Sequence, residues 1–141
     1  MAAKAERKHF SVRSLLKYLD LERNTADCDA KESKNTDHVV ELQLVAATLN
    51  TLPDETTYGR QQLRQLVDFF NHDPNLQCMD RKENSEKGEA VKRFINEGFQ
   101  KPNESQRQWI GPIKQSWETI KHQLENFDRF KTALDGILSA V

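Results

Sequence analysis

Hydrophobic residues in this chain recur every three or four positions, the spacing that places side chains on one face of an α-helix. The first predicted helix, near residues 11–22, has its apolar face at Val12, Leu15, Leu16 and Leu19. Ser11 precedes this face and suits an N-cap. A second helix is predicted over 37–52, with Thr36 as its cap and Pro53 as its end, and its broad apolar arc is typical of a buried central helix.

Two further helical patterns follow before the C-terminal third of the chain. One covers about 56–71 and a shorter one covers about 90–99, while the stretch at 102–105 is predicted to cap another short turn. The intervening stretches 23–36 and 78–89 contain few apolar residues, so we expect them to be mobile loops. No stretch alternates apolar and polar residues in the manner of a half-buried strand, and hence no β-strand is predicted.

The C-terminal stretch has the longest regular pattern. Its apolar positions at 4-3-4-3 spacing are Ile113, Trp117, Ile120, Leu124 and Phe127, and the pattern resumes at Leu134, Leu138 and Val141. Because Pro112 suits the first turn of a helix, one helix is predicted from 112 to about 139, with a length of about 40 Å. The sequence therefore predicts a single all-α domain over residues 1–141, a bundle of five to six helices with a long C-terminal helix.

Apolar residues near the end of this helix cover more than one of its faces. They are Phe127, Phe130, Leu134, Ile137 and Leu138. Phe130 and Ile137 lie seven positions apart and form a second row beside the first. Two interpretations stay open with similar weight: the other helices bury both rows, or the second row is a seam for a protein partner or a second copy of the chain. These five residues are the predicted protein interface.

Charge is nearly balanced over the whole chain, with 21 Lys and Arg against 22 Asp and Glu. This balance argues against a protein that coats nucleic acid without specificity. The N-terminal arm is an exception, since five of its residues are basic and one is acidic. The residues predicted to contact nucleic acid are Lys4, Arg7, Lys8, Arg13 and Lys17 of this arm, joined by Arg60 and Arg64 of the third helix. The competing interpretation, which we favour, is a solvated helix face.

One combination of side chains has the order of a metal-dependent hydrolase. It consists of His38, His72, Asp73 and a late acid, either Asp128 or Asp135. This order resembles the metal ligands of the HD phosphohydrolase family, which is also all-α, and the resemblance implies a divalent ion that activates water. Pro74 follows the dipeptide directly, which favours a different interpretation: a histidine at a helix C-terminus beside an aspartate in a turn.

Other sites with a recognisable spacing are not found in the sequence. The five glycines are scattered and form no phosphate-binding loop, and the two cysteines and four histidines have no zinc-ligand spacing. One disulfide between Cys28 and Cys78 is possible, but reduced thiols are favoured, because two cysteines without a framework are typical of cytosolic proteins. No secretory signal or membrane-spanning stretch is found, so the predicted location is intracellular and cytoplasmic, without a membrane partner.

These observations predict a small non-enzymatic helical protein that acts by protein–protein binding, as an adaptor, an inhibitor or a subunit of a larger complex. No catalytic, cofactor-binding or metal-binding residue is assigned, and no cofactor is expected. The partner is a protein or a second copy of the chain, bound through the C-terminal helix. Two alternatives stay open: a helical subunit of a nucleoprotein complex that contacts nucleic acid through the basic arm, and an HD-like metal-dependent phosphohydrolase.

Overall fold

The computed structural model describes residues 9–18, 34–53 and 58–141. These residues form a mostly helical fold with a small sheet, in the order α1 (Val12–Leu16), β1 (Lys34–His38), α2 (Leu42–Asn50), α3 (Arg60–Phe70), β2 (Leu76–Asp80), α4 (Arg81–Asn96), α5 (Glu104–Ile120), a turn of 3-10 helix (Lys121–Gln123) and α6 (Asp128–Leu138). The predicted helical bundle is confirmed in its coarse form, whereas the purely all-α class is wrong. None of the helices in the three described ranges is both long and apolar enough to cross a membrane.

α1 begins at the residue that the capping pattern predicts, and the long helix α5 begins where only a short capped turn is predicted. Ser11 caps α1: its hydroxyl accepts a hydrogen bond from the Ser14 N–H at 3.1 Å, and the Ser14 hydroxyl accepts one from the Ser11 N–H at 2.8 Å. Asn103 caps α5 in the same reciprocal way with Gln106. The remainder of the predicted first helix, from residue 19 onward, lies outside the described residues.

The two strands are the main departure from the fold predicted from sequence. β1 and β2 pair antiparallel, with Lys34 opposite Asp80 and His38 opposite Leu76. The predicted loop over 23–36 and the predicted start of a helix at 37 are therefore wrong within β1; the part of that loop before Lys34 lies outside the described residues. All five residues of β1 are polar, so the strand lacks the apolar alternation that identifies a strand in a sequence.

Asn75 forms hydrogen bonds with the residues that follow β1, and α2 begins only after these residues. Its Oδ1 accepts a hydrogen bond from the Val40 N–H at 2.8 Å, and its Nδ2 donates to the carbonyls of Val40 at 3.1 Å and Phe70 at 2.8 Å. The Asn75 carbonyl also accepts from the Val39 N–H at 2.8 Å. Because these bonds occupy the backbone of Val39 and Val40, α2 begins only at Leu42.

α4 replaces the predicted loop over 78–89 and most of the predicted short helix over 90–99 with one continuous helix, preceded by β2. It begins after Asp80, whose carboxylate accepts from the N–H groups of Lys82 at 2.9 Å and Glu83 at 3.4 Å. Its buried positions are Lys87, Ala90, Val91 and Phe94. Composition cannot distinguish the solvent-facing first half of this helix from a loop, since both are polar.

The predicted C-terminal helix over 112–139 is two helices, α5 and α6. Pro112 lies in the interior of α5 and not in its first turn. Asn126, between the two helices, has a φ of 68°, a left-handed backbone conformation that does not continue a right-handed helix. α6 then lies beside α5, where the Trp117 Nε1–H donates a hydrogen bond to Asp135 Oδ1 at 2.8 Å.

This turn buries the residues predicted to form a protein interface. Their exposed fractions are Phe127 3%, Phe130 0%, Leu134 0%, Ile137 8% and Leu138 1%. The ring centroid of Phe130 lies 6.0 Å from that of Phe70 and 6.2 Å from that of Trp117. The expectation of an uncovered second row is therefore wrong, because the turn before α6 brings that row against the core. A partner can contact these side chains only by displacing the protein's own helices.

Cys78 of β2 is the one cysteine in the described part of the chain, and it is disulfide-bonded. The expectation of a reduced thiol is wrong for this residue. The other cysteine of the sequence, Cys28, lies outside the described residues. Because disulfides persist in oxidising compartments and are rare in the cytosol, this bond bears on where the protein folds.

Candidate functional site

A polar cleft of about 300 Å³ lies where the end of β1 meets α1, α2 and α4. It is lined by Val12, Asp37, His38, Glu41, Leu42, Gln43, Asn84 and Gly88. Asp37 and His38 are the last two residues of β1, and Asn84 and Gly88 lie four positions apart on one face of α4. The sheet and the helix that packs on it therefore hold the polar side chains of this cleft, which we call the His38 cleft.

The imidazole of His38 is held in a fixed orientation. His38 is only 1% exposed, and its Nε2 lies 3.1 Å from Oδ1 of Asn71, the residue that ends α3. A carboxamide oxygen accepts but does not donate, so Nε2 carries the proton in this contact. A fixed tautomer of this kind is what a histidine needs to act as a proton acceptor.

Asp37, beside His38, forms a buried ion pair with a lysine of α4. Lys87 Nζ lies 2.6 Å from Asp37 Oδ2, and both side chains are 3% exposed. The same ammonium group donates to the carbonyls of His38 at 3.1 Å and Val39 at 3.0 Å. Gln77 of β2 donates to Asp37 Oδ2 at 2.8 Å. Lys87 thus fixes the end of β1 through one side chain and two backbone carbonyls.

The donor atoms of the His38 cleft suit a hard divalent cation. Asp37 and Glu41 present carboxylate oxygens and Asn84 presents a carboxamide, and Mg²⁺ prefers such oxygen ligands. The contacts of Asp37 with Lys87 and Gln77 both fall on Oδ2, so Oδ1 is the oxygen that a cation would take. Among the described residues, no three His, Cys, Asp or Glu side chains gather closely enough to hold a metal ion by themselves.

Of the residues predicted in the HD-like order, only His38 lines the cleft. His72, two residues beyond the end of α3, is exposed, and its Nδ1 lies 2.6 Å from the carbonyl oxygen of Asp68 in α3. Asp73 and Asp128 are exposed, and Asp135 bonds Trp117. The interpretation of His72 as a residue at a helix C-terminus agrees with this placement.

Sequence reasoning missed Asp37, Asn71, Asn84 and Lys87. Two signals point to some of them. Asp37 and His38 are adjacent polar residues directly before an apolar stretch, and Asn84 and Lys87 have the three-residue spacing of one helix face. The second signal has meaning only if residues 81–96 are helical, and the predicted loop concealed it.

The structure brings three of the predicted basic residues together at a second place. Lys17, Arg60 and Arg64 line a cleft of about 320 Å³ with Tyr18 and Gln61, and we call it the basic cleft. Arg13 is exposed on α1 but does not line this cleft. The remaining residues of the arm, Lys4, Arg7 and Lys8, lie outside the described residues.

Comparisons with known proteins do not assign a family. No protein-family model, curated protein or solved structure matches this chain significantly. The chemistry of the two clefts is therefore the basis for a functional proposal, since function resides in sites and not in a helical architecture as such.

Proposed function

We propose that the protein is a metal-dependent hydrolase of phosphate diesters, in which His38 is the general base. The observation that supports this proposal is the position of His38: a buried imidazole, oriented by Asn71, in a cleft that also contains Asp37 and Asn84. Burial, a fixed tautomer and adjacent oxygen ligands are the features that hydrolytic sites combine. His38 would take the proton of the water that attacks phosphorus.

Asp37 and Asn84 would hold the cation. Mg²⁺ is commonly bound through one or two carboxylates, with water and substrate phosphate oxygens completing its coordination. In this proposal Asp37 and Asn84 are the protein's contribution to that coordination. When bound, such a cation supplies Lewis-acid polarisation of a phosphoryl oxygen. This requirement for phosphate oxygens is why the proposal names phosphate diesters and not carboxylic esters.

Of the partners predicted from sequence, nucleic acid fits this activity, because its backbone is a chain of phosphate diesters. A protein partner, or self-association, belongs to the second candidate function below.

Hydrolysis of bis(p-nitrophenyl) phosphate in the presence of Mg²⁺ or Mn²⁺ tests the proposal. We expect cation-dependent release of p-nitrophenol from the unmodified protein, and we expect His38→Gln to lower the rate by about 10²- to 10⁴-fold. Glutamine keeps an N–H donor for Asn71 but has no basic nitrogen, so the loss reports on proton transfer. Asn84→Ala is expected to raise the cation concentration needed for half-maximal rate, and Asn84→Asp to lower it again.

His72→Ala is the matched control, since His72 is the exposed histidine that the HD-like order would require. Its rate is expected to equal that of the unmodified protein. Melting temperatures of all variants establish that each is folded. Absence of cation-dependent hydrolysis by the unmodified protein, or a His38→Gln variant that retains the full rate, would contradict the proposal.

The second candidate is the non-enzymatic interaction protein expected from the sequence, an adaptor, an inhibitor or a subunit of a complex. The ion pair between Lys87 and Asp37 favours it, because Lys87 already neutralises the carboxylate that a cation would use. In this case the polar cluster has only a structural role. Calorimetric titration with Mg²⁺ should then give no heat of binding, and affinity purification should recover a stoichiometric protein partner.

The disulfide of Cys78 counts against the intracellular, cytoplasmic location predicted from sequence, and we propose an oxidising compartment instead. Alkylation of cells before lysis, followed by mass spectrometry, tests the point. If the disulfide forms in the cell, the Cys78 peptide is alkylated only after reduction, which is the result that we expect and which would contradict a cytosolic location. A Cys78 peptide that is alkylated without reduction would instead support the cytosol.

A further inference from the structure

The His38 cleft and the basic cleft lie at the two ends of one short helix. Val12, the first residue of α1, lines the His38 cleft, and Lys17 and Tyr18, just after α1, line the basic cleft. The step from Val12 to Lys17 corresponds to about 8 Å along a helix axis. The basic cleft is therefore a neighbour of the His38 cleft along the chain, with lining residues of its own.

The basic cleft combines three cationic side chains. Lys17, Arg60 and Arg64 are all exposed, and all three line the cleft. Arg60 and Arg64 lie four positions apart and so share one face of α3. Guanidinium groups contact phosphate oxygens in a bidentate manner, which a point charge does not. The cleft thus presents the chemistry of a phosphate-backbone contact.

Tyr18 adds an aromatic ring to these cations. Tyr18 is half-buried: its side chain packs against the hydrophobic core and also lines the basic cleft. Aromatic rings beside cationic side chains are the usual platforms for unpaired bases, because every base has a flat face that stacks. An inorganic anion or a polyglutamate chain has no flat aromatic group that would stack on such a ring.

We propose that the basic cleft binds a single-stranded nucleic acid, with Arg60, Arg64 and Lys17 contacting phosphates and Tyr18 stacking on a base. The binding itself is independent of the hydrolytic activity. The role of the strand as substrate rests on the proposed function.

Fluorescence anisotropy with a labelled oligothymidylate of about 16 nucleotides measures this binding. The titrations use the His38→Gln background, which prevents cleavage. We expect Lys17→Gln with Arg60→Gln and Arg64→Gln to weaken binding, and to make the plot of log K against log salt concentration shallower by about 2, since each phosphate contact on a single strand contributes about 0.7.

Tyr18 has its own variant and control. Tyr18→Ala is expected to weaken binding of the single strand by about 5- to 150-fold, the range for loss of one stacked base. Tyr18→Phe retains an aromatic face and should bind like the unmodified protein. A duplex of the same length offers no unpaired base, so its weaker, charge-dependent binding should not respond to Tyr18→Ala.

A matched charge control removes three exposed cations from outside the basic cleft, as Lys92→Gln with Arg93→Gln and Lys101→Gln. If this control weakens binding as much as the cleft variant, the contribution is one of overall charge and the inference is wrong. It is also wrong if the oligonucleotide does not bind at low salt, or if polyglutamate competes equally and Tyr18→Ala has no effect. Hydrolysis of bis(p-nitrophenyl) phosphate, measured on the unmodified protein, reports separately on the proposed function.

Discussion

Replacing Phe130 and Ile137 together with serine is expected to unfold the protein at room temperature. Phe130 is 0% exposed and contacts the rings of Phe70 and Trp117, and Ile137 is 8% exposed in the same core. Truncating a buried Phe or Ile each costs about 2 to 5 kcal/mol, and burying a serine hydroxyl without a partner adds to that cost. The combined loss is comparable with the whole stability of a small domain, about 5 to 15 kcal/mol.

Far-UV circular dichroism, with a urea titration, measures this loss. Thr132→Ala, at an exposed position of α6, is the control and should leave the free energy of unfolding within about 0.5 kcal/mol of its original value. A double variant that keeps its melting temperature but loses association with a partner would instead restore the interface that the sequence predicts at these residues.

Replacing Lys87 with methionine is expected to lower the free energy of unfolding by about 3 to 5 kcal/mol. Methionine has nearly the volume of the lysine stem, so the variant leaves no large cavity. It leaves the Asp37 carboxylate buried without its cation, and the carbonyls of His38 and Val39 lose a donor. Urea denaturation gives the free energy, and the loss should persist at high salt, because buried pairs are screened little.

Two further variants test whether the loss of stability comes from breaking the ion pair or from replacing any lysine of α4 with methionine. Combining Lys87→Met with Asp37→Asn removes the uncompensated charge and is expected to recover part of the loss. Lys82→Met, at an exposed position of the same helix, should change the stability little. If Lys87→Met is as stable as the unmodified protein, the ammonium group does not have the buried position described above.

Helix starts were predictable where the signal is local. Ser11 and Asn103 each cap a helix through a side chain three positions further on, so both partners are visible within four consecutive letters. β1 was not predictable in this way. Its five polar residues have no pattern of their own, and the strand exists because β2, about forty residues later in the chain, pairs with its backbone.

In the candidate site, too, some residues could be predicted from local sequence and others depend on distant parts of the chain. His38 could be singled out from the sequence, but its predicted ligand partner His72 is exposed, while its actual neighbour is Asn71. Lys87 was concealed because residue type alone favours exposure for a lysine, and only its pairing with Asp37 explains its burial. The basic cleft was partly predictable, since the spacing of Arg60 and Arg64 follows from a helix, whereas their proximity to Lys17 required the tertiary fold.

The hydrogen bonds of Asn75 have a consequence for how sequence variation in this protein should be interpreted. Asn75 connects the end of α3 to the chain beyond β1, yet it does not line the His38 cleft. These bonds need a donor and an acceptor at the same end of a short side chain, and the carboxamide of asparagine provides both. Related sequences are therefore expected to vary as little at position 75 as at position 38. Invariance at position 75 would reflect the need to hold the backbone of Val40 and Phe70 together. Only invariance at position 38 would reflect the chemistry of the cleft.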